Sequence, residues 1–143
     1  MQHTRKLQEA IVINAGPSRI WAVLTKPEYT RQYFYDYAVY SSWATGDDIR
    51  WESEKDGQHF IVKKGKVKNI IPGIFIDFNI WDVLEEDPEN AGTSTVYEMQ
   101  TIGNGIQLTV TQVISDCPEQ EFKYQQQNWR SMLQKIKWLA EYS

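Results

Sequence analysis

One apolar stripe near the C-terminus constrains the fold more than any other feature of the chain. Trp129, Met132, Leu133, Ile136 and Ala140 recur at three- and four-residue spacing, the period of a single helix face. The stripe predicts one long helix from Pro118 to the end of the sequence. Such a helix buries its apolar side only by lying on a broad apolar surface. The preceding sequence offers that surface as strands. The helix is therefore expected to close a curved sheet and to leave a cavity beneath it.

Strand and turn signals fill most of the remaining chain. Leu7, Glu9, Ile11 and Ile13 alternate with Gln8, Ala10, Val12 and Asn14, which is a strand pattern. Ala15-Gly16-Pro17-Ser18 interrupts it, and Pro17 suits a first helical turn, where its missing N–H is not needed. Ile20, Trp21, Val23 and Leu24 give a short helix its buried side. Pro27 ends that helix, and Glu28 to Phe34 forms a second. Strand signals resume at Ser41. Thr45-Gly46-Asp47 reads as a turn, Ile49 and Trp51 alternate with polar neighbours, and Lys55-Asp56-Gly57 is a hairpin turn. Gln58 to Ile71 forms the next strand, with Gly65 marking a bulge or close packing. After Pro72-Gly73, the residues Ile74, Ile76, Phe78 and Ile80 share a face opposite Phe75, Asp77, Asn79 and Trp81.

Glu85 to Gly92 reads as an acidic, solvated loop. Two further strands, Thr93–Thr101 and Ile106–Ser115, are joined by Gly103-Asn104-Gly105. In the second, Ile106, Leu108 and Val110 oppose Gln107, Thr109 and Thr111. One apolar and one wet face is the mark of antiparallel sheet. The order is α+β: a strand, two short helices, about six antiparallel strands and a long helix, with residues 1–143 as one domain.

Composition narrows the function classes. A net charge of −4 argues against nonspecific nucleic-acid binding, which needs a basic surface. Lys63, Lys64, Lys66 and Lys68 form a local run that reads as the solvated edge of a strand. The single cysteine, Cys117, excludes an internal disulfide framework and fits a reducing compartment. No apolar run approaches the ~20 residues of a membrane span, so stable membrane insertion is not expected. No signal-peptide pattern opens the chain, and the cytoplasm is the expected location. Six Trp, eight Tyr and five Phe supply rings enough to line a pocket as well as fill a core.

Several segments resemble a known family. Ile11-x-Ile13-x-Ala15-x-Pro17-x-x-Ile20-Trp21-x-x-Leu24-Thr25-x-Pro27-Glu28 is similar to the opening of domains related to the activator of Hsp90 ATPase, within the START/Bet v 1-like, or helix-grip, superfamily. Ser42-Trp43-x-x-Gly46-Asp47 resembles a second signature, and Gly65-x-Val67-x-x-Ile70-x-Pro72 a mid-sheet segment. Asn104 to Thr111 is similar to the late hairpin, with Ile106 where Thr is usual. Asn128-Trp129, Leu133 and Ile136 match the terminal helix, with Asn128 in place of the usual Gly. The resemblance implies a curved antiparallel sheet of about six or seven strands wrapped on the C-terminal helix, with a pocket between them. The family includes co-chaperone domains, carriers of hydrophobic ligands and cyclase-like enzymes.

His3 lies at the N-terminus and His59 beside a hairpin turn, with no ligand spacing for a metal. Cys117 precedes Pro118 at a helix start, where a thiolate is stabilised or the thiol is simply inert. The chain carries no glycine-rich phosphate loop or nucleophile turn. Asp77, Glu98 and Glu52 fall opposite the apolar residues and should face water unless a bulge shifts them. No cofactor is expected. The candidate pocket residues are Tyr33 and Phe34 from the second helix; Trp51, Val67, Ile76, Phe78, Tyr97, Met99, Leu108 and Val110 from the strands; and Trp129, Met132, Leu133 and Ile136 from the long helix. Each reads equally well as core. Trp43 and Trp81, exposed with Phe75, would instead mark a partner surface.

The leading expectation is noncatalytic binding of a hydrophobic or amphipathic small molecule, lipids among them. The alternatives are a chaperone-accessory or other protein-binding module, linked to stress response, and a cyclase-like enzyme using the same cavity.

Overall fold

The computed structural model describes residues 4–88 and 92–142. His3, residues 89–91 of the expected acidic loop and the final Ser143 fall outside the described residues. The strands are β1 (Arg5–Ile13), β2 (Ala38–Tyr40), β3 (Asp48–Lys55), β4 (Gln58–Ile71), β5 (Phe75–Asp82), β6 (Thr93–Ile102) and β7 (Gly105–Ile114). The helices are α1 (Pro17–Thr25), α2 (Pro27–Tyr33) and α3 (Glu119–Tyr142).

Local chemistry sets the boundaries. Pro17 and Pro27 each open a helix, at the position where a lost N–H has no consequence. Proline also forces the preceding residue toward extended backbone. Lys26 obeys this at φ −97°, ψ 136° and separates the two helices. Asp56 and Gly57 both have positive φ, at 54° and 78°, the geometry that lets a two-residue turn join twisted strands.

All seven strands form one curved sheet in the order β1-β7-β6-β5-β4-β3-β2, every neighbouring pair antiparallel. These three helices lie on its concave face. Alternation chooses that face: Ile76, Phe78 and Ile80 of β5 are buried, while Phe75, Asp77, Asn79 and Trp81 between them are half-exposed. Ile74 departs from the expected set. It lies in the turn after Gly73 and is 53% exposed, because the β5 alternation begins only once the chain has left that turn.

The stripe on α3 is buried as Trp129, Met132, Leu133, Ile136, Leu139 and Ala140. It joins Leu7, Ile13, Leu108 and Val110 in one continuous core. Each such Leu or Ile contributes about 1.5–3 kcal/mol through burial. Polar contacts pin the helix along the β1 edge. Arg130 pairs with Glu9 at 2.9 Å, Lys137 donates to the Val12 carbonyl at 2.8 Å, and the Asn14 N–H donates to Glu141 at 2.7 Å. Glu9 sits on the inward face of β1 at the sheet's edge, and Arg130 is the partner that makes the position tolerable. None of the described helices is long and apolar enough to cross a membrane.

Candidate functional site

Five aromatic rings close a circuit between sheet and helix. Phe34, after α2, lies 6.3 Å from Trp51 of β3. Trp51 lies 5.8 Å from Phe78 of β5, which lies 5.8 Å from Tyr97 of β6. Tyr97 lies 5.9 Å from Trp129 of α3, and Trp129 returns to Phe34 at 6.3 Å. Contacts at these separations contribute about 0.5–1.5 kcal/mol each beyond simple burial. The void inside measures about 20 Å³, room for roughly one water. The space expected under the helix is thus largely filled by side chains.

A glycine makes the circuit possible. A Cβ at Gly65 would stand 2.2 Å from the Asn79 carbonyl oxygen and 2.9 Å from the Trp51 ring. Only a residue without a side chain lets that indole lie down on β4. The close packing expected at Gly65 is present. The register shifts fall elsewhere, at Trp51/Glu52 and at Val67/Asn69.

A buried polar chain crosses the same chamber. Trp129 Nε1 donates to Gln112 Oε1 at 2.9 Å, and Gln112 Nε2 donates to Thr95 Oγ1 at 3.1 Å. Tyr33 donates its hydroxyl to the Val23 carbonyl at 2.9 Å. The Tyr97 hydroxyl, on a residue only 7% exposed, has no hydrogen-bond partner among the described residues. Burial pushes the Tyr33 and Tyr97 hydroxyls well above the usual phenol range, and Tyr33 is raised further by neighbouring Tyr97. Both stay protonated at neutral pH and can donate a hydrogen bond, but neither suits general-base work. The described chamber lining contains no carboxylate, imidazole or thiol.

Beyond Phe34 and Trp129 the chamber meets an open cleft of about 400 Å³. That volume lies within the range of small-molecule sites. Phe34, Ile80, Gln112 and Trp129 line both spaces, so the first and last of these rings form the partition. Tyr35, Tyr37, Lys63, Trp81, Asp82, Glu85, Glu121, Gln125 and Met132 add to the cleft wall. Tyr35 and Asp36 follow the gate ring with positive φ, 52° and 65°, a conformation costing on the order of 1 kcal/mol each. Asn128 of α3 donates to the Tyr35 hydroxyl at 3.1 Å and ties this strained corner to the helix.

The candidate residues divide between wall and core. Tyr33, Phe34, Trp51, Phe78, Tyr97 and Trp129 line the chamber, and Met132 lines the cleft. Val67, Ile76, Leu108, Val110, Leu133 and Ile136 are fully buried core residues outside both linings, and Met99 packs half-buried against the core. Sequence reasoning missed Gln112 and Thr95. Gln112 continues the inward series Ile106, Leu108, Val110, and a polar residue on that series was the available signal. Trp43 corrects the expectation of an outer face: it lines the chamber and donates its indole N–H to the Thr25 carbonyl at 3.2 Å.

Other expected features lie away from the chamber. The Trp81 and Phe75 positions stand on the opposite alternation of β5 and are half-buried. Glu98 is exposed, and Asp77 stays on the outer face despite the nearby register shift, with one carboxylate oxygen buried and unpartnered. Glu52 pairs with Arg50, and His59 stands 3.8 Å from Glu54 on the exposed hairpin. No group of three potential metal ligands occurs among the described residues. Cys117 is buried, and that burial, with Glu121 nearby, pushes its thiol up rather than toward thiolate.

Comparison with known proteins places this geometry. The solution structure of ChR145 from Cytophaga hutchinsonii is 26% identical, with TM-score 0.76 over 94% of this chain and 92% of that one. The Aha1 dimer from Colwellia psychrerythraea is 18% identical, with TM-score 0.72 over 96% and 97%. Ara h 8.0201, a Bet v 1-like protein, is 12% identical, with TM-score 0.69 over 96% and 98%. Among curated proteins none matches the sequence. The family described as Activator of Hsp90 ATPase homolog 1-like protein matches residues 14–141, and the chain belongs to that family, with its START/Bet v 1-like fold.

Proposed function

We propose that the protein binds an apolar or amphipathic small molecule, without chemical turnover, in the cleft between α3, the α2–β2 corner and the sheet. The observation that carries this reading is the partition of Phe34 and Trp129 between a 20 Å³ void and a 400 Å³ cleft. A ring on a strained corner is a movable wall. Outward rotation of Phe34 joins the two spaces and exposes Trp51, Phe78 and Tyr97 to a guest. Apolar area buried there contributes about 25 cal/mol per Å². The unpartnered Tyr97 hydroxyl then offers a donor to the guest's buried end.

The test is a tryptophan-fluorescence titration with lipids, flavonoids and bile-acid-like compounds. A saturable change is expected with at least one class, together with tighter apolar binding in Phe34→Ala. The absence of any saturable change in both proteins would contradict the reading.

A second reading follows from the family and from an exposed apolar strip. Phe60 and Ile61 near the β3–β4 hairpin and Val83 and Leu84 after β5 are all exposed, Leu84 at 88%. Such a strip suits a protein partner, and a chaperone is the candidate. Purified Hsp90 should then hydrolyse ATP faster in the presence of this protein, and less so with Leu84→Asp. An unchanged ATPase rate would exclude that role.

A further inference from the structure

The cleft mouth carries two features that bear on its ligand. The first is a cluster of three rings in mutual contact: Phe34 and Tyr35 at 5.2 Å, Tyr35 and Tyr37 at 5.8 Å, and Phe34 and Tyr37 at 6.1 Å. Three rings elsewhere are each capped by an arginine, while exposed Phe60, Tyr124, Trp138 and Tyr142 are not. Arg5 lies over Phe122, Arg19 over Tyr29 and Arg50 over Tyr40, at 5.7, 5.1 and 4.7 Å. No described cation lies over the mouth cluster, so its electron-rich faces remain open.

The second feature is charge. Asp82, Glu85 and Glu121 line the cleft against a single cation, Lys63. Lys63 is already engaged by Asp82 at 2.7 Å, and Glu85 accepts the Asp87 N–H at 3.0 Å, so no ion pair among the described residues neutralises Glu85 or Glu121. Arg5, near the start of α3, is not part of the cleft lining. Its guanidinium stacks on Phe122 and donates to the Cys117 carbonyl at 2.7 Å. Glu121 shares the first turn of α3 with Glu119, so the helix dipole has a second carboxylate to answer it.

Open ring faces beside uncompensated carboxylates describe a receptor for a positive charge. We infer that the ligand of this cleft is a cationic amphiphile. Its ammonium or guanidinium sits at the mouth, among Tyr35, Tyr37, Glu85 and Glu121, and its flat apolar body is directed toward Phe34 and Trp129. The deep end meets Tyr97, whose protonated hydroxyl can donate to a hydrogen-bond acceptor on the ligand. This inference rests on the small-molecule reading above and sharpens it to a charge class.

Three probes of one shape test it: 2-naphthylmethyl-trimethylammonium, 2-naphthalenemethanol and 2-naphthoate, titrated by isothermal calorimetry at low salt and at 0.5 M NaCl. The cation should bind about tenfold tighter than the alcohol, and the carboxylate weakest. The preference should shrink at high salt through screening. In the Glu85→Gln/Glu121→Gln variant, both sites exposed, the cation and alcohol should come within about twofold of each other. Equal binding of all three, preference for the carboxylate, or an unchanged preference in the double variant would overturn the charge assignment while leaving the pocket intact. No binding of any probe would remove the pocket reading, and this inference with it.

Discussion

The hydrogen bond between Trp129 and Gln112 holds the partition ring in place, and its removal should be costly in a defined way. Both residues are nearly buried, at 2% and 8% exposure, and the bond is 2.9 Å long. An indole has one donor and no alternative. Gln112→Leu strands that N–H, a loss of about 1–3 kcal/mol. Thr95 loses its bond too, but its hydroxyl can rotate, and the leucine regains some apolar burial. The expected net loss is about 2 kcal/mol, or a Tm lower by about 6 °C at this chain length. Water filling the adjacent void would bring the loss toward 1 kcal/mol.

Trp129→Phe strands Gln112 Oε1 and loses ring area, with a loss of about 2–3 kcal/mol. The double variant orphans neither the Trp129 N–H nor Gln112 Oε1, so the cycle should show a coupling of about 1–2 kcal/mol. Urea unfolding followed by far-UV circular dichroism measures all four proteins without relying on Trp129 as the probe. Additivity within about 0.3 kcal/mol would refute the argument that these two groups depend on each other.

Three further outcomes follow from the same geometry. Gly65→Ala should lose about 3 kcal/mol or more by urea unfolding, because its Cβ would meet the Asn79 carbonyl at 2.2 Å and the Trp51 ring; a loss under 1 kcal/mol would contradict the close approach. Tyr97→Phe should be nearly neutral at pH 7, since no bond is lost, whereas Tyr33→Phe should cost about 1 kcal/mol. Buried Tyr33 and Tyr97 have raised folded-state values, so their stability contribution is complete below about pH 10, the unfolded value, and falls as pH rises beyond it. Tyr97→Phe should flatten that alkaline decline, read as stability against pH from 9 to 12, and an identical slope would count against the buried phenol. Cys117, buried with a raised thiol, should resist iodoacetamide in the native protein and react on unfolding; rapid native labelling would show otherwise.

Legibility in the sequence followed periodicity. The α3 stripe and the alternation of β5 and β7 repeat along the chain, so their buried faces could be read directly. Gln112 was readable by the same rule but is polar, and its role emerges only when Trp129, seventeen positions on, is laid across it. Trp43 was not readable. It sits in a loop at φ 55°, where no period says which way a side chain turns. Glu9 shares its face with Leu7, Ile11 and Ile13, and nothing local names its partner because Arg130 is distant in sequence. Ile74 was drawn into β5 by extending alternation through a turn that had not yet ended. The size of the void had no linear signature at all, because five rings from three strands, a loop and a helix must be placed before it exists.

In the proposed binding mode a guest enters between Phe34 and Trp129 and reaches the aromatic circuit. Its most direct test is the set of indole N–H signals in a 15N-HSQC titration with neutral 2-naphthalenemethanol. Trp129, Trp51 and Trp43 should shift together and saturably, while Trp138, 57% exposed on the outer side of α3, should not move. Unmoved chamber signals, or shifts confined to Trp138, would contradict it.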